Sequence, residues 1–254
     1  MTRKISKYGW RPDLPDHRDL SYSASFKSLF FLPSSVDLRH GCPPVFDQGE
    51  LGSCTANAIG AMDEFMQSKE KLAHVFRPSR LFIYYNERAI EGTVSQDSGA
   101  MIRDGIKSIA KQGVCPESMW KYDISKFAAK PTATCYTEGL KHPAVSYMRV
   151  NQTLRAMKSC LADGYPFVFG FTVYESFESQ AVADTGVVPM PKANEEAIGG
   201  HAVMAVGYSV AKQAFLVRNS WGPSWGVGGY FWMPFAYMTN SDLVNDIWTL
   251  RVVK

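Results

Sequence analysis

The spacing of apolar residues changes near the middle of this 254-residue chain, and the change constrains the fold more than any other feature. In the first half, apolar residues recur every three or four positions, as along one face of a helix. The predicted helices run from Cys54 to Met66 and over 79–90, 99–112 and 151–164. In the second half, β-rich runs alternate with turn residues. The predicted strands are 167–173, 201–208, 214–217, 230–233 and 247–253. Helices followed by strands indicate an α+β protein with two lobes.

Residues 1–32 differ from the rest of the chain. They are rich in turn residues and alternating charge, which predicts an extended segment rather than a helix or a strand. Tyr8 and Trp10 are its candidate aromatic anchors, and Pro12 and Pro15 favour an extended backbone. We therefore expect this N-terminal segment to be separate from a main body that begins near residue 33. Residues 120–145 are predicted to be irregular, and residues 176–198 are predicted to form a long connection.

Composition excludes several classes of protein. The 46% apolar and 20% charged residues are typical of a globular chain, and a net charge of +3 is too small to indicate nucleic-acid binding. No apolar run reaches the length of a membrane span. The first seven residues are positively charged but have no apolar stretch behind them, unlike a secretory signal. The chain is expected to be cytoplasmic, or exported by a route without a classical signal.

Cys54 is the candidate nucleophile. It begins a helical pattern, where unpaired N–H groups and the helix dipole favour an anion, and a thiolate is the reactive form of Cys. Ser53 is the expected N-cap. Gln48 offers a neutral amide donor six residues upstream, and Gly49 and Gly52 allow a close approach to the backbone. By itself, a Cys at this position is more often a small buried apolar residue, so other motifs must decide.

Five cysteines is an odd number, which fits one reactive thiol with up to two disulfides, or five thiols. The cysteines other than the candidate nucleophile are Cys42, Cys115, Cys135 and Cys160.

Two later stretches supply the rest of a site. One has a Gly-Gly-His-Ala-Val motif with His201, and the other has an Asn-Ser-Trp-Gly motif with Asn219 and Trp221. Gln and Cys, then His-Ala-Val, then Asn-Ser-Trp-Gly, in that order, resembles the papain family of cysteine peptidases. The resemblance covers about residues 33–235, and three ordered motifs are far more specific than any one alone.

The resemblance implies a role for each side chain. Cys54 is the nucleophile, and His201 forms an ion pair with it at neutral pH and later protonates the leaving amine. Asn219 accepts the second N–H of the imidazole, and Trp221 shields that contact from water. Gln48 donates to the developing oxyanion beside the backbone N–H of Cys54. The simpler interpretations are a turn residue for Asn219, core packing for Trp221 and a loop amide for Gln48.

A substrate surface is implied as well. Ser98-Gly99-Ala100 aligns with the family's strand that bonds an extended peptide. Met101 and Ala202 then border the pocket for the second residue before the scissile bond, where an apolar side chain is favoured. Ordinary packing at a helix N-terminus is the alternative. The implied substrate-binding residues are Ser98, Gly99, Ala100, Met101, Gly200, Ala202 and Trp221.

The implied architecture is a two-lobed papain-like fold with the active-site cleft between the lobes. Residues 45–145 form most of the helical lobe, and residues 146–254 form most of an antiparallel, β-barrel-like lobe. Residues 1–32 are a propeptide-like segment, and residues 33–254 are the peptidase domain.

Three departures from the family pattern point to an outlying, bacterial branch similar to xylellain. Leu51 stands where the familiar enzymes have a Cys in a disulfide, and Thr55 stands where they have an aromatic residue. The N-terminal segment is too short for their long helical propeptide.

The expected function is hydrolysis of peptide bonds through a thioester by a monomeric endopeptidase, without metal or cofactor. Its expected partners are a peptide or protein substrate and, as in a zymogen, its own N-terminal segment lying in the cleft; neither nucleic acid nor membrane is expected. The alternatives are an inactive papain-fold protein that binds peptides, or a transferase or deamidase with the same Cys–His chemistry. The segment is alternatively a passive tail, or a strap on the back of a lobe.

Overall fold

The structure, a computed structural model, describes residues 8–142 and 144–252. The first seven residues, Pro143 in the stretch predicted to be irregular, and Val253 at the predicted end of the last strand lie outside the described residues. The helices are α1 (Phe26–Phe30), α2 (Cys54–Lys69), α3 (Arg80–Glu91), α4 (Ile102–Gln112), α5 (Ala133–Gly139), α6 (Leu154–Ala162), α7 (Gln180–Thr185) and α8 (Phe235–Met238). The strands are β1 (Trp10–Arg11), β2 (Ser35–Asp37), β3 (Ala100–Met101), β4 (Ala144–Arg149), β5 (Phe167–Tyr174), β6 (Ala197–Ser209), β7 (Ala214–Arg218), β8 (Tyr230–Pro234) and β9 (Val244–Val252).

Helix α2 lies between the two lobes. It packs on α3 and α4 of the helical lobe and also contacts β6 and β9 of the sheet. Its residues are therefore buried almost all round, from Cys54 at its first position to Met66 near its end. Burial of apolar surface is the dominant favourable contribution to folding, and here it fixes the start of α2 against the sheet.

The β lobe is one mainly antiparallel sheet. Its strand order is β4-β9-β5-β6-β7-β8, and β2 pairs with β6 away from this path. This arrangement confirms the predicted α+β class with a helical lobe and a β lobe. Among the described strands, β4 and β8 form the two edges of the sheet and do not pair with each other, so the sheet is open. The β lobe is therefore not a closed barrel, and this part of the β-barrel-like prediction is wrong.

Several local predictions were wrong because distant pairing decides the local structure. Ala100 and Met101 form β3 with the N-terminal segment, so α4 begins at Ile102 rather than at residue 99. The stretch 120–145, predicted to be irregular, contains α5 and the start of β4. Thr153, not Asn151, caps α6, since its side chain accepts from the Ala156 N–H at 3.2 Å.

The N-terminal segment packs on the body along its described length. Strand β1 lies parallel to β3, with Trp10 opposite Ala100 and Arg11 opposite Met101. Further along, the Tyr22 N–H donates to the Arg149 carbonyl at 2.8 Å, and α1 packs against α6. The proposed domain boundary after residue 32 stays a prediction.

All five cysteines are free thiols, and all lie in the described part of the chain. Of the two alternatives left open by the sequence, the structure therefore shows five thiols rather than one thiol with disulfides.

Candidate active site

Cys54 occupies the first position of α2 and is fully buried. Ser53 is at the N-cap position, but its side chain makes no capping hydrogen bond. The Ser53 hydroxyl instead bonds the Tyr122 hydroxyl at 2.6 Å and accepts from Asn57 Nδ2 at 3.1 Å. The predicted side-chain cap is therefore wrong. Because no side chain caps it, the start of α2 keeps N–H groups available to an anion beside Cys54.

His201 lies in β6 with its two ring nitrogens in different surroundings. Nε2 is 2.9 Å from Asn219 Oδ1, so Nε2 carries the proton in the neutral ring. Nδ1 is buried and has no hydrogen-bond partner within the described residues. Asn219 Oδ1 also accepts from the Ser220 N–H at 2.8 Å, which fixes the orientation of the amide. Proton transfer with a nearby thiol requires an imidazole that is oriented through one ring nitrogen and can accept a proton at the other, and His201 has this arrangement.

Trp221 stacks on His201, with ring centroids 5.2 Å apart, and is itself buried. Phe171 packs edge-on against the same imidazole at 5.7 Å. These rings keep water from the bond between His201 and Asn219, which strengthens that bond by lowering the local dielectric.

Gln48 is held by both ends of its amide. Its Oε1 accepts from the Ser220 hydroxyl at 2.6 Å, and its Nε2 donates to the Leu51 carbonyl at 2.9 Å. The amide is therefore oriented, and one Nε2 hydrogen remains for a further acceptor. Ser220, which sequence reasoning did not single out, connects Gln48 to Asn219; its place inside the Asn-Ser-Trp-Gly motif was the available signal.

The N-terminal segment crosses the site directly over Cys54. The Gly9 carbonyl accepts from the Ala100 N–H at 2.7 Å. A Cβ atom on Gly9 would lie 1.7 Å from the carbonyl oxygen of Gly52, so the chain passes here with no room for a side chain. The Tyr8 ring packs edge-on against His201 with centroids 5.9 Å apart. A peptide-width channel beside Cys54 is therefore filled by the chain's own backbone.

Comparison with known proteins assigns the family. The sequence model of the papain family cysteine proteases matches residues 32–246. The chain belongs to this family. Xylellain, a cysteine protease from Xylella fastidiosa, has a crystal structure that is 44% identical in sequence, with a TM-score of 0.92 over 100% of this chain and 99% of that one. An uncharacterized peptidase C1-like protein of Acanthamoeba polyphaga mimivirus is 48% identical over 278 residues, which span 99% of this chain and 89% of the relative.

A more distant structure shares the fold alone. Digestive procathepsin L 3 of Tenebrio molitor is 18% identical, with a TM-score of 0.72 over 92% of this chain and 74% of that one. Together, the matches confirm the predictions of a papain-like fold and of a cysteine-type peptidase. Since the similar proteins include a viral and a bacterial one, the predicted bacterial origin stays a prediction.

Most residues that the papain-family resemblance assigned to substrate contact the N-terminal segment. Ala100 and Met101 pair with it through β3, and a Cβ on Gly99 or Gly200 would clash with its backbone. Ser98 differs, because its hydroxyl donates to Thr93 Oγ1 at 2.9 Å and so holds its own loop.

Two further predicted residues lie beside Cys54 and His201. The backbone of Ala202 is close to the Cys54 thiol, and Trp221 packs on His201.

With the N-terminal segment over the site, Cys54 and His201 both favour their uncharged forms. Burial raises the pKa of the Cys54 thiol to about 12, although the backbone N–H groups of Ala202 and Gly9 lower it. Burial also lowers the pKa of His201 to about 4, against the effect of its hydrogen bond to Asn219. Each shift disfavours the charged form, so this state has a thiol and a neutral imidazole at neutral pH. The implied ion pair is therefore not favoured while the segment covers the site.

A hydrogen bond to the buried Glu87 gives a reason for Thr55, the residue that follows Cys54. The Thr55 hydroxyl donates to Glu87 Oε1 at 2.6 Å, and both residues are fully buried. Burial raises the pKa of Glu87 well above its usual value, which favours the neutral carboxyl group. Thr55, where the familiar enzymes have an aromatic side chain, thus gives one oxygen of a buried acid its hydrogen bond under the first turn of α2.

A buried ionic cluster fastens the N-terminal segment, and sequence reasoning missed it. Asp13 Oδ1 accepts from the Arg103 N–H at 3.0 Å, at the start of α4, and Oδ2 accepts from Trp248 Nε1 at 2.8 Å. Arg149 lies 3.4 Å from the same carboxylate, and the Asp13 N–H donates to Asp246 at 2.8 Å. Burial and the nearby Asp246 raise the pKa of Asp13 to about 7. No local sequence signal marks a cluster whose members are far apart in the chain.

Neither a membrane span nor a metal site is found in the part of the chain that the structure describes. There, no helix has the length and apolar character to cross a bilayer. No group of three or more His, Cys, Asp and Glu side chains suited to a metal ion occurs within residues 8–142 and 144–252.

Proposed function

We propose that this papain-family protein is a monomeric endopeptidase that cleaves peptide bonds through Cys54 and His201, and that its N-terminal segment restrains it. The observation that carries the proposal is the state of His201, whose Nε2 is bound to Asn219 at 2.9 Å while Nδ1 is free. The backbone N–H of the next residue, Ala202, contacts the Cys54 thiol, so the imidazole and the sulfur belong to one site.

In the proposed reaction, His201 Nδ1 takes the proton of Cys54 once the site is open. The thiolate attacks the peptide carbonyl carbon, and the resulting oxyanion accepts from the free Nε2 hydrogen of Gln48 and from the Cys54 N–H. His201 then gives its proton to the leaving amine, which leaves a thioester on Cys54. Water, deprotonated by His201, hydrolyses the thioester and restores the thiol. Asn219 and Trp221 hold the imidazole in one orientation throughout.

The segment blocks the site without presenting a bond for cleavage. The contact of the segment with the sulfur is made by the Gly9 N–H. The Gly9 carbonyl is bonded to the Ala100 N–H and so does not reach the oxyanion donors. A tethered segment acts at an effective concentration in the millimolar range, so weak docking is sufficient to exclude substrate.

Product analysis tests hydrolysis against the other functions. The full-length protein is incubated with a peptidyl aminocoumarin amide in oxygen-labelled water, before and after reaction with a peptide epoxide. We expect release of coumarin, label in the new peptide carboxylate, and an epoxide adduct on Cys54. Release without label contradicts hydrolysis and indicates a transferase. No release, even after the cleft is opened by mutation, contradicts catalysis and indicates a binding protein.

Asp13→Ala is expected to raise kcat/KM on a small peptide amide several-fold. It removes the carboxyl group that accepts from the Arg103 N–H and from Trp248 Nε1 and that lies 3.4 Å from Arg149, and a hydrogen bond of this kind contributes about 0.5–1.5 kcal/mol net. Arg18→Ala is the matched control, because the exposed Arg18 side chain bonds Asp16 within the same segment and such surface pairs contribute little. Equal kinetics for the two variants would contradict the fastening role of Asp13.

Gln48→Ala, made in the Asp13→Ala background, is expected to lower kcat about 100-fold with a small change in KM. The Gln48 contact to the oxyanion forms only as charge develops, which gives this pattern. Ser220→Ala should give a smaller loss of kcat, since it frees the Oε1 end of the amide. Gln112→Ala, in α4, is the control. A rise in KM alone would show that Gln48 binds the ground state instead.

A further inference from the structure

Trp10 of the N-terminal segment fills a pocket beside the nucleophile. Its neighbour Gly9 lies over Cys54, so the pocket is one residue away along the bound backbone. The ring is buried, with 8% of its surface exposed, and belongs to the same apolar cluster as Cys54 and Ala202. The pocket is therefore formed by the body of the protein and is occupied by a side chain in a peptide-like position.

Two glycines in adjacent strands make room for the indole. A Cβ on Gly170 in β5 would lie 1.9 Å from Trp10 Cε2, and a Cβ on Gly200 in β6 would lie 2.6 Å from Trp10 Cε3. Gly170 lies against the five-membered ring of the indole, including the bond shared by the two rings, and Gly200 lies against the six-membered ring. Any other residue at these positions would shift or expel a flat ring of this size.

Asp246 in β9 closes the end of the pocket with an acceptor. Its Oδ2 accepts from Trp10 Nε1 at 3.2 Å and from the Asp13 N–H at 2.8 Å, and Oδ1 is 3.5 Å from Arg149. Asp246 is 6% exposed. When the segment leaves, Asp246 loses both donors, whereas Arg149 belongs to the body and stays. A buried carboxylate that has lost its hydrogen-bond donors favours binding of a new donor, because a buried acceptor without a hydrogen bond is unfavourable in free energy.

We propose that this pocket selects a planar substrate side chain with a ring N–H, tryptophan above all, and that Gly170, Gly200 and Asp246 set the preference. The inference rests on the proposed function, and it replaces the expectation of a simple apolar preference at Met101 and Ala202. A cationic side chain is disfavoured, because Arg149 already lies against Asp246. The pocket corresponds to the second residue before the scissile bond, the position that the family resemblance gave to this surface.

The first measurement does not depend on catalysis. Full-length Trp10→Ala empties the pocket and leaves its walls intact, and its affinities for indole and 1-methylindole are measured by calorimetry. Indole is expected to bind at least about 10-fold more tightly, the ratio for one hydrogen bond to a charged acceptor. Adding Asp246→Gly, which suits the positive φ of 57° at that residue, should abolish the difference. Adding Gly170→Ala should abolish binding of both.

The second measurement compares peptidyl aminocoumarin amides on Trp10→Ala, with Trp, 1-methyltryptophan, Leu or Arg as the second residue before the cleaved bond. Trp is expected to give the highest kcat/KM, at least about 10-fold above 1-methyltryptophan. In the Gly170→Ala double variant, Leu should be cleaved faster than Trp. Cleavage with Leu, Arg or 1-methyltryptophan equal to Trp would overturn the inference and leave the peptidase function standing. Indole binding without cleavage of any substrate, even after Asp13→Ala is added to release the segment from Cys54, would instead overturn the proposed function.

Discussion

Cys54→Ala and His201→Ala, each made in the Asp13→Ala background, are expected to lower kcat/KM by at least about 10⁴-fold. Removing either half of a nucleophile–base pair removes most of the catalytic effect of both, so the losses are similar and do not add in the double variant. The measurement is release of aminocoumarin from a peptide amide, with circular dichroism to show that the fold is kept.

Controls for this prediction come from the same residue types elsewhere. Cys42→Ala removes a half-buried thiol that bonds the Leu38 carbonyl at 3.6 Å and the Tyr230 side chain, and His40→Ala removes an exposed imidazole. Both should keep their activity. Asn219→Ala should lose less than His201→Ala, because it only orients the ring. Full turnover by Cys54→Ala would exclude the proposed mechanism.

The candidate catalytic residues could be named from the sequence because each is carried by a short ordered motif. Periodicity placed Cys54 at the start of a helix and His201 in a strand, and the structure has both. The fold class followed from the same periodicity, since helix and strand patterns depend on neighbours three, four or two residues away. The family resemblance then supplied roles that spacing alone does not give.

Contacts between distant residues were not predictable by these means. The Ser53 hydroxyl bonds Tyr122, 69 residues away, and so does not cap its helix. Asp13 bonds Trp248, 235 residues away, and no local pattern marks either residue as part of an ionic cluster. The neutral state of Cys54 has the same origin, because it results from burial under a segment that pairs with β3. Each of these features depends on tertiary packing rather than on local preference.

Gly9→Ala is expected to raise kcat/KM on a small peptide amide by about 10- to 100-fold. The new methyl group would lie 1.7 Å from the Gly52 carbonyl oxygen, a contact that only displacement of the segment relieves. Overpacking of this kind costs about 1–3 kcal/mol, which sets the expected range. The φ angle of Gly9 is not positive, so Ala is tolerated by the backbone once the segment has moved.

Labelling of Cys54 gives a second readout of the same displacement. In the covered site the pKa of Cys54 is about 12, so little thiolate is present at pH 8. Exposure to water and to a hydrated His201 lowers that pKa towards or below the ordinary thiol value. Iodoacetamide should therefore modify Cys54 much faster in Gly9→Ala than in the unmodified chain, and a peptide of the first 20 residues added in trans should slow the reaction again.

Ser23→Ala separates displacement from a general effect of changing the segment. Ser23 is exposed and lies in the same segment, away from Cys54, so this variant should keep the kinetics and labelling rate of the parent. Unchanged kinetics in Gly9→Ala, with an unchanged melting temperature, would identify the segment as a passive tail. A large fall in melting temperature without faster labelling would identify a structural strap. Faster labelling and turnover, with a fall in melting temperature no larger than the overpacking cost of about 1–3 kcal/mol implies, is the result that only a removable cover over Cys54 explains.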